Sequence, residues 1–144
     1  GIDIGYEGPD TVPAACLMEG NETLLRELVR NLADNAINYT PAGGVVTIRL
    51  LVDPFSHVMV LQVEDNGPGI PADERSLVLQ PFYRTLGTNV DGSGLGLAIV
   101  QEIAQQMGAV IKMSDATPNK KPPGLLVTVR FPSPATATEL AHHP

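Results

Sequence analysis

Four polar residues share one face of a single expected helix: Glu27, Asn31, Asn35 and Asn38 follow one another at intervals of three or four. Asn is a poor helix former, so three amides in one stripe call for a reason. A solvated face is one. A hard cation is another. Mg2+ takes oxygen ligands, keeps several waters and leans on substrate phosphates, and amide oxygens can serve beside a charged triphosphate. In VEDNGPGI, residues 63–70, an apolar strand delivers Asp65, then Gly67 and Gly69. The segment suits a polar turn. It also suits a base pocket. An ionised carboxylate only accepts hydrogen bonds, so a buried Asp can select the exocyclic amine of adenine. Glycines let the backbone approach the flat ring.

Two further stretches carry potential chemistry. In PFYRT, residues 81–85, Phe82 and Tyr83 are two of only six Phe and Tyr in the chain. Arg84 there reads as a solvated charge or as a planar fork for a phosphate. In DGSGLGLAIV, residues 91–100, Gly92, Gly94 and Gly96 stand at alternate positions ahead of a helix. This is neither G-x-x-x-x-G-K-[ST], since no Lys follows, nor G-x-G-x-x-G, since position 97 is Leu. It reads as a flexible connector, or as a helix start whose free N–H groups and dipole favour an anion.

The elements that must position these groups are legible in the apolar pattern. Residues 13–18 read as a short strand. A helix is expected over 20–40, with Asn21 as N-cap and Leu24, Leu25, Leu28, Val29 and Leu32 on one face. TPAGG ends it. VVTIRLLV and HVMVLQVED are rich in β-branched residues and form a hairpin across DPFS. A short helix is expected over 73–79, a loop over 83–94 and a second long helix over 95–107. AVIKMS and LLVTVRF supply two closing strands around DATPNKKPPG. The order β-α-β-β-α-α-β-β predicts a mixed sheet with helices on one face, a two-layer α/β sandwich. There is no internal repeat and no interdomain linker. One domain is expected over residues 1–132, with a loose Pro/Ala/Thr-rich tail over 133–144. The opening GIDIGYEG reads as a cut from something longer.

Composition narrows the classes. With 144 residues, 43% of them hydrophobic, the chain can build one core. Aromatics are only 4% and Trp is absent, so that core is aliphatic. Sixteen acidic residues against nine basic give a formal charge of -7, which argues against a nucleic-acid partner. It does not exclude an anionic ligand, because a metal ion and backbone N–H groups offset local charge. Cys16 is the single cysteine, so no internal disulfide forms and a reducing cytoplasm is expected. Within the apolar VPAACLM it reads as a small buried residue. No apolar run reaches the ~18 residues of a membrane span, so no membrane contact is expected of this domain.

In their order and spacing, NLADNAINYTPAGG, EDNGPGIP, PFYR and GSGLGLAIV resemble the asparagine, first glycine, phenylalanine and second glycine boxes of bacterial sensor histidine kinases. The resemblance is to the catalytic, ATP-binding domain of these two-component signalling proteins. It extends to the wider group with gyrase B, the MutL mismatch-repair protein and the ninety-kilodalton heat-shock chaperones, and covers roughly residues 12–132. It implies a Bergerat-type sandwich with a mainly antiparallel mixed sheet on about three helices, ATP between the long helices, and a mobile lid. Carried over box by box, Asn35 would hold Mg2+ with Asn31 assisting. Asp65 would bind the adenine amine, Gly67 and Gly69 would shape that pocket, and Tyr39 and Ile70 would line it. Arg84 would approach the phosphates and Phe82 would anchor the lid. Gly92, Ser93, Gly94, Leu95, Gly96 and Leu97 would form the bending lid and the phosphate-facing helix start.

Some positions depart from the pattern. Asn38 stands where many relatives carry a phosphate-touching Lys or Arg. Met107-Gly108-Ala109 replaces the usual HGG, and the last glycine box is reduced to Gly124, to which the resemblance assigns no function. The lid over 83–93 is short, which implies a small closure. Where the ATP-hydrolysing relatives carry a water-activating Glu, this chain has Asn31. An amide is no general base at neutral pH, and Glu27, one turn back, is expected to be too far away to replace it. A neutral imidazole needs less activation than water, so the resemblance favours phosphoryl transfer to His over hydrolysis. His57, His142 and His143 have neither the acidic neighbour nor the helical setting of a phosphoacceptor. The implied partners are therefore ATP, a His-bearing dimerisation domain elsewhere in a cytosolic or inner-membrane parent kinase, and a response regulator reached through that parent. A stand-alone ATPase switch and a nucleotide-independent docking module remain the alternative readings.

Overall fold

The computed structural model describes residues 1–8, 21–52, 55, 58–80 and 96–132. Strand β1 (Asp3–Glu7) precedes helix α1 (Asn21–Tyr39), the adjacent strands β2 (Val45–Val52) and β3 (Met59–Asp65), helix α2 (Gly96–Met107), and strands β4 (Val110–Asp115) and β5 (Leu125–Arg130). The strands form one sheet in the order β1-β2-β3-β5-β4. β1 runs parallel to β2 and every other pair is antiparallel.

The core follows from the two periodicities. On β3, Met59, Leu61 and Val63 point inward at period two, as do Leu125, Val127 and Val129 on β5. On α1, Leu25, Leu28, Leu32 and Ala36 recur at helical spacing and are buried. Leu97, Val100, Ile103 and Ala104 do the same on α2. Both helices pack on each other and on one face of the sheet. Removing a fully enclosed side chain such as Leu28 would cost about 2–5 kcal/mol. The other face mixes polar residues with exposed Val45, Leu51 and Val110, and there Arg49 bridges Glu7 at 2.9 Å and Glu64 at 3.1 Å.

The two-layer sandwich expected from the sequence is present, with both long helices and four of the strands within one or two residues of their expected bounds. Two elements differ. β1 was not expected; Ile4 and Tyr6 alternate on the core-facing side of DIGYE but stay about half exposed, at 52% and 53%. It is held by its backbone pairing with β2 and by the Glu7–Arg49 ion pair instead. The helix expected over 73–79 is two 3-10 turns, Ala72–Glu74 and Leu77–Leu79. So short a segment cannot offset helix nucleation, and burial of Val78 fixes the second turn. The expected strand at 13–18, the loop at 83–94, Cys16, His57 and the tail at 133–144 lie outside the described residues.

Candidate functional site

The site is built where β3 and α1 both end. Asp65 is the last residue of β3 and stands on the inner face, in register with Val46 on β2 and Leu125 on β5. Its inward neighbours are all apolar, yet the carboxylate is only 4% exposed. One oxygen, Oδ1, accepts the backbone N–H of Gly67 at 2.9 Å and that of Leu125 at 3.3 Å. No donor among the described residues reaches Oδ2. Burial pushes the carboxyl above the usual Asp value. The N–H bonds from Gly67 and Leu125 oppose this, and the nearby charge of Glu64 adds to it. The result is a buried acceptor with one half fixed and the other half open, suited to a donor brought by a ligand.

The strap after β3 fixes that geometry. A Cβ on Gly67 would stand 2.6 Å from the carbonyl oxygen of Tyr39, the last residue of α1, so only glycine fits there without a shift. The Gly67 carbonyl accepts the N–H of Gly124 at 3.0 Å. Gly69 has φ +78° and faces the Gly124 carbonyl and Pro123. Ile70 is buried in the core. Gly124 itself has φ +71°, and a Cβ there would overlap the Asp65 carbonyl oxygen. Sequence reasoning assigned Gly124 no function, and it is the residue that lets β5 close against β3 beside Asp65. Its only signal was a lone glycine between PP and a strand, which does not reveal a positive φ or a long-range approach.

The amides lie along α1 before that junction. Asn31 and Asn35 are half-buried on the flank of the core stripe, while Asn38 is exposed. Asn31 donates from Nδ2 to the Glu27 carbonyl at 2.7 Å, back onto its own helix. That leaves its Oδ1, and both ends of the Asn35 amide, without a protein partner among the described residues. Glu27 is half-exposed and stands 3.8 Å from Arg30, at the surface. No group of three or more His, Cys, Asp or Glu gathers among the described residues, so these residues offer no closed cage for a metal ion. Free amide oxygens on one helix flank fit a cation that keeps its waters and takes substrate oxygens, as Mg2+ does.

α2, which packs along α1, starts at Gly96. Gly96 faces open space and Leu97 enters the core. The structure thus brings Asp65, Gly67, Gly69, Ile70 and Tyr39 together, with Gly124 added. It sets Asn31 and Asn35 on the turns leading to Tyr39. Phe82, Arg84, Gly92, Ser93, Gly94 and Leu95 lie outside the described residues. Among the described residues no helix is long and apolar enough to cross a membrane.

Comparison with known proteins adds an independent line. A family model, the histidine kinase-, DNA gyrase B-, and HSP90-like ATPase, matches residues 20–135. The signal transduction histidine-protein kinase/phosphatase MprB of Mycobacterium leprae is 45% identical over 114 residues, 78% of this chain and 22% of the relative. MprB of Mycobacterium tuberculosis is 40% identical over the same length and shares. The chain thus spans about a fifth of the length of these curated relatives, 22%. Among solved structures, a mycobacterial sensor histidine kinase MprB superposes with a TM-score of 0.79 at 32% identity, covering 92% of this chain and 84% of that one. The nucleotide-free catalytic domain of the histidine kinase ThkA gives a TM-score of 0.70 at 26% identity, over 93% of this chain and 81% of that one.

Proposed function

The chain belongs to the family of histidine kinase-, DNA gyrase B- and HSP90-like ATPases, as a catalytic domain of the sensor histidine kinase type, and on that premise we propose that it binds ATP with Mg2+ and donates the γ-phosphoryl to a His on a separate domain. The observation that carries this reading is Asp65, buried, with Oδ1 spent on two backbone N–H groups and Oδ2 open. Adenine's amine is the donor that Oδ2 lacks. Gly67, held against the Tyr39 carbonyl, fixes the turn that carries the Asp65 carboxylate.

Asn35, with Asn31 beside it, would hold Mg2+ through amide oxygens. The ion, when bound, neutralises charge on the phosphates. Gly96 opens the start of α2, where free N–H groups favour phosphate oxygens, and Gly94 would let the preceding chain come close to them. Arg84 supplies a further positive charge. In the transfer, the bond from Pγ to the bridging oxygen of ADP breaks and a bond from Pγ to an imidazole nitrogen forms. The protein contributes position and electrostatics rather than covalent chemistry. Asn31, bonded to its own helix, cannot activate water, and Glu27 is turned to Arg30 at the surface. Both favour an imidazole acceptor over hydrolysis. The sensor's signal-receiving parts, its phosphoacceptor and its response regulator belong to this proposal for the whole protein.

The test is to mix the purified chain with a His-bearing helical dimerisation domain and γ-labelled ATP. Acid-labile label on that domain, lost with Asn35→Ala and absent from the catalytic chain alone, is the expected result. Steady release of inorganic phosphate without the second domain would favour an ATPase instead.

A further inference from the structure

Arg75 lies outside every motif singled out in the sequence, yet it ties the segment after Asp65 to the end of β4. It follows the 3-10 turn Ala72–Glu74. Its Nε donates back to the Ile70 carbonyl at 3.0 Å, and Nη2 reaches Asp115 Oδ1 at 3.0 Å across 40 residues of chain. Nη1 points at the Met113 carbonyl at 3.5 Å, the limit of a hydrogen bond. Ile70 is 2% exposed, and no other donor among the described residues reaches its carbonyl. A buried carbonyl needs a partner, and Arg75 is the one it has.

The position of Asp115 gives the link its consequence. Asp115 ends β4 in register with Leu125, and Leu125 is in register with Asp65 and donates to its Oδ1. The chain leaves this row at Asp65, runs through Gly67, Gly69 and Ile70, and is returned to the same row by Arg75. The guanidinium therefore closes a circuit of chain and hydrogen bonds that includes Asp65. Its far end is also held by apolar burial of Ile70.

Resting on the nucleotide reading above, we infer that Arg75 is a positioning residue for the base, fixing the Gly69–Ile70 turn and so the preference for adenine over guanine. The Ile70 link carries more of the effect than the ion pair. Losing the sole partner of a buried carbonyl costs more than losing a pair whose acid is 42% exposed.

The test measures dissociation constants for ATP and GTP, with Mg2+, in the full chain and in Arg75→Met, Arg75→Lys and Asp115→Asn, with a thermal midpoint for each. In Arg75→Met, ATP binding is expected to weaken about tenfold and the ATP-over-GTP preference to fall several-fold. In Asp115→Asn and Arg75→Lys, where part of the network survives, the preference is expected to fall roughly two- to threefold. A merely structural role predicts otherwise. Partial unfolding divides both apparent affinities by the same factor and leaves their ratio unchanged. An unchanged ratio in every folded variant would overturn the inference. If Arg75→Met does not fold, the other two decide. A parent chain that binds neither nucleotide would overturn the nucleotide reading itself, and this inference with it.

Discussion

The two ends of the candidate site are made differently. At the base end, backbone does the work. Gly67 N–H and carbonyl are both bonded, Leu125 N–H is aimed at Asp65, and Gly124 closes against the Asp65 carbonyl. At the amide end, side chains do it. Asn35 has no protein partner among the described residues, and Asn31 is bonded only to its own helix. The base end is set by the fold before any ligand arrives. The amide end is left with free oxygens that a ligand must organise. Substitutions of the glycines at the first should therefore disturb fold and binding together, and substitutions at the second should disturb chemistry alone.

The largest effect is expected at Gly124. Gly124→Ala forces a side chain into a left-handed φ and onto the Asp65 carbonyl, so destabilisation of about 3 kcal/mol or more is expected in urea titration. Nucleotide binding should be lost with it. Gly67→Ala, whose Cβ meets the Tyr39 carbonyl at 2.6 Å, should cost about 1–3 kcal/mol. Stability near that of the parent in both variants would mean the base end is soft, and the contrast would fail.

Next comes Asp65→Asn, which separates the two properties within the base end. ATP affinity should fall about 100-fold, since a buried acceptor becomes a mismatched amide. Fold stability should move the other way. The folded-state pKa is raised, mainly by burial, so the protonated carboxyl is the better fit to the fold. That contribution is complete below the ordinary Asp value and is lost as pH rises through the raised one. At neutral pH the variant should thus unfold at the same or a higher temperature than the parent, and this gain should shrink as pH falls into the ordinary Asp range. A loss of stability at pH 7 that persists in acid would show that the bonds to Gly67 and Leu125 outweigh burial.

At the amide end, Asn35→Ala should leave stability within about 0.5 kcal/mol, while Mg2+-dependent phosphotransfer is abolished. Smallest of all is the surface pair Arg26–Glu22, with both side chains about three-quarters exposed at 3.4 Å. Glu22→Gln should change the unfolding midpoint by less than the error of a typical scan, in keeping with exposed pairs.

This contrast also explains what could be read from the sequence. Residue types that carry chemistry through side chains were visible at once: the amide stripe on α1 and Asp65 at a strand end followed by glycines. The apolar stripes of α1 and α2 and the alternation on β3 and β5 gave the layers. What stayed hidden acts through the backbone or across long chain separations. β1 buries little of Ile4 and Tyr6, and pairing with β2 and the Glu7–Arg49 contact hold it. Gly124 matters for a φ of +71° and for a carbonyl 59 residues earlier, Asp65, neither of which leaves a local pattern. Arg75 looked like any charge on a short surface helix until the fold set it between Ile70 and Asp115.

The central claim is that the open oxygen of Asp65 makes this chain an adenine-nucleotide site. The most direct measurement is a calorimetric titration of the chain with ATP and Mg2+, run beside Asp65→Asn at matched fold stability. The account predicts one site in the parent chain and binding weakened about 100-fold in the variant. Equal binding by both, or no heat and no thermal stabilisation of the parent at saturating nucleotide, would contradict it.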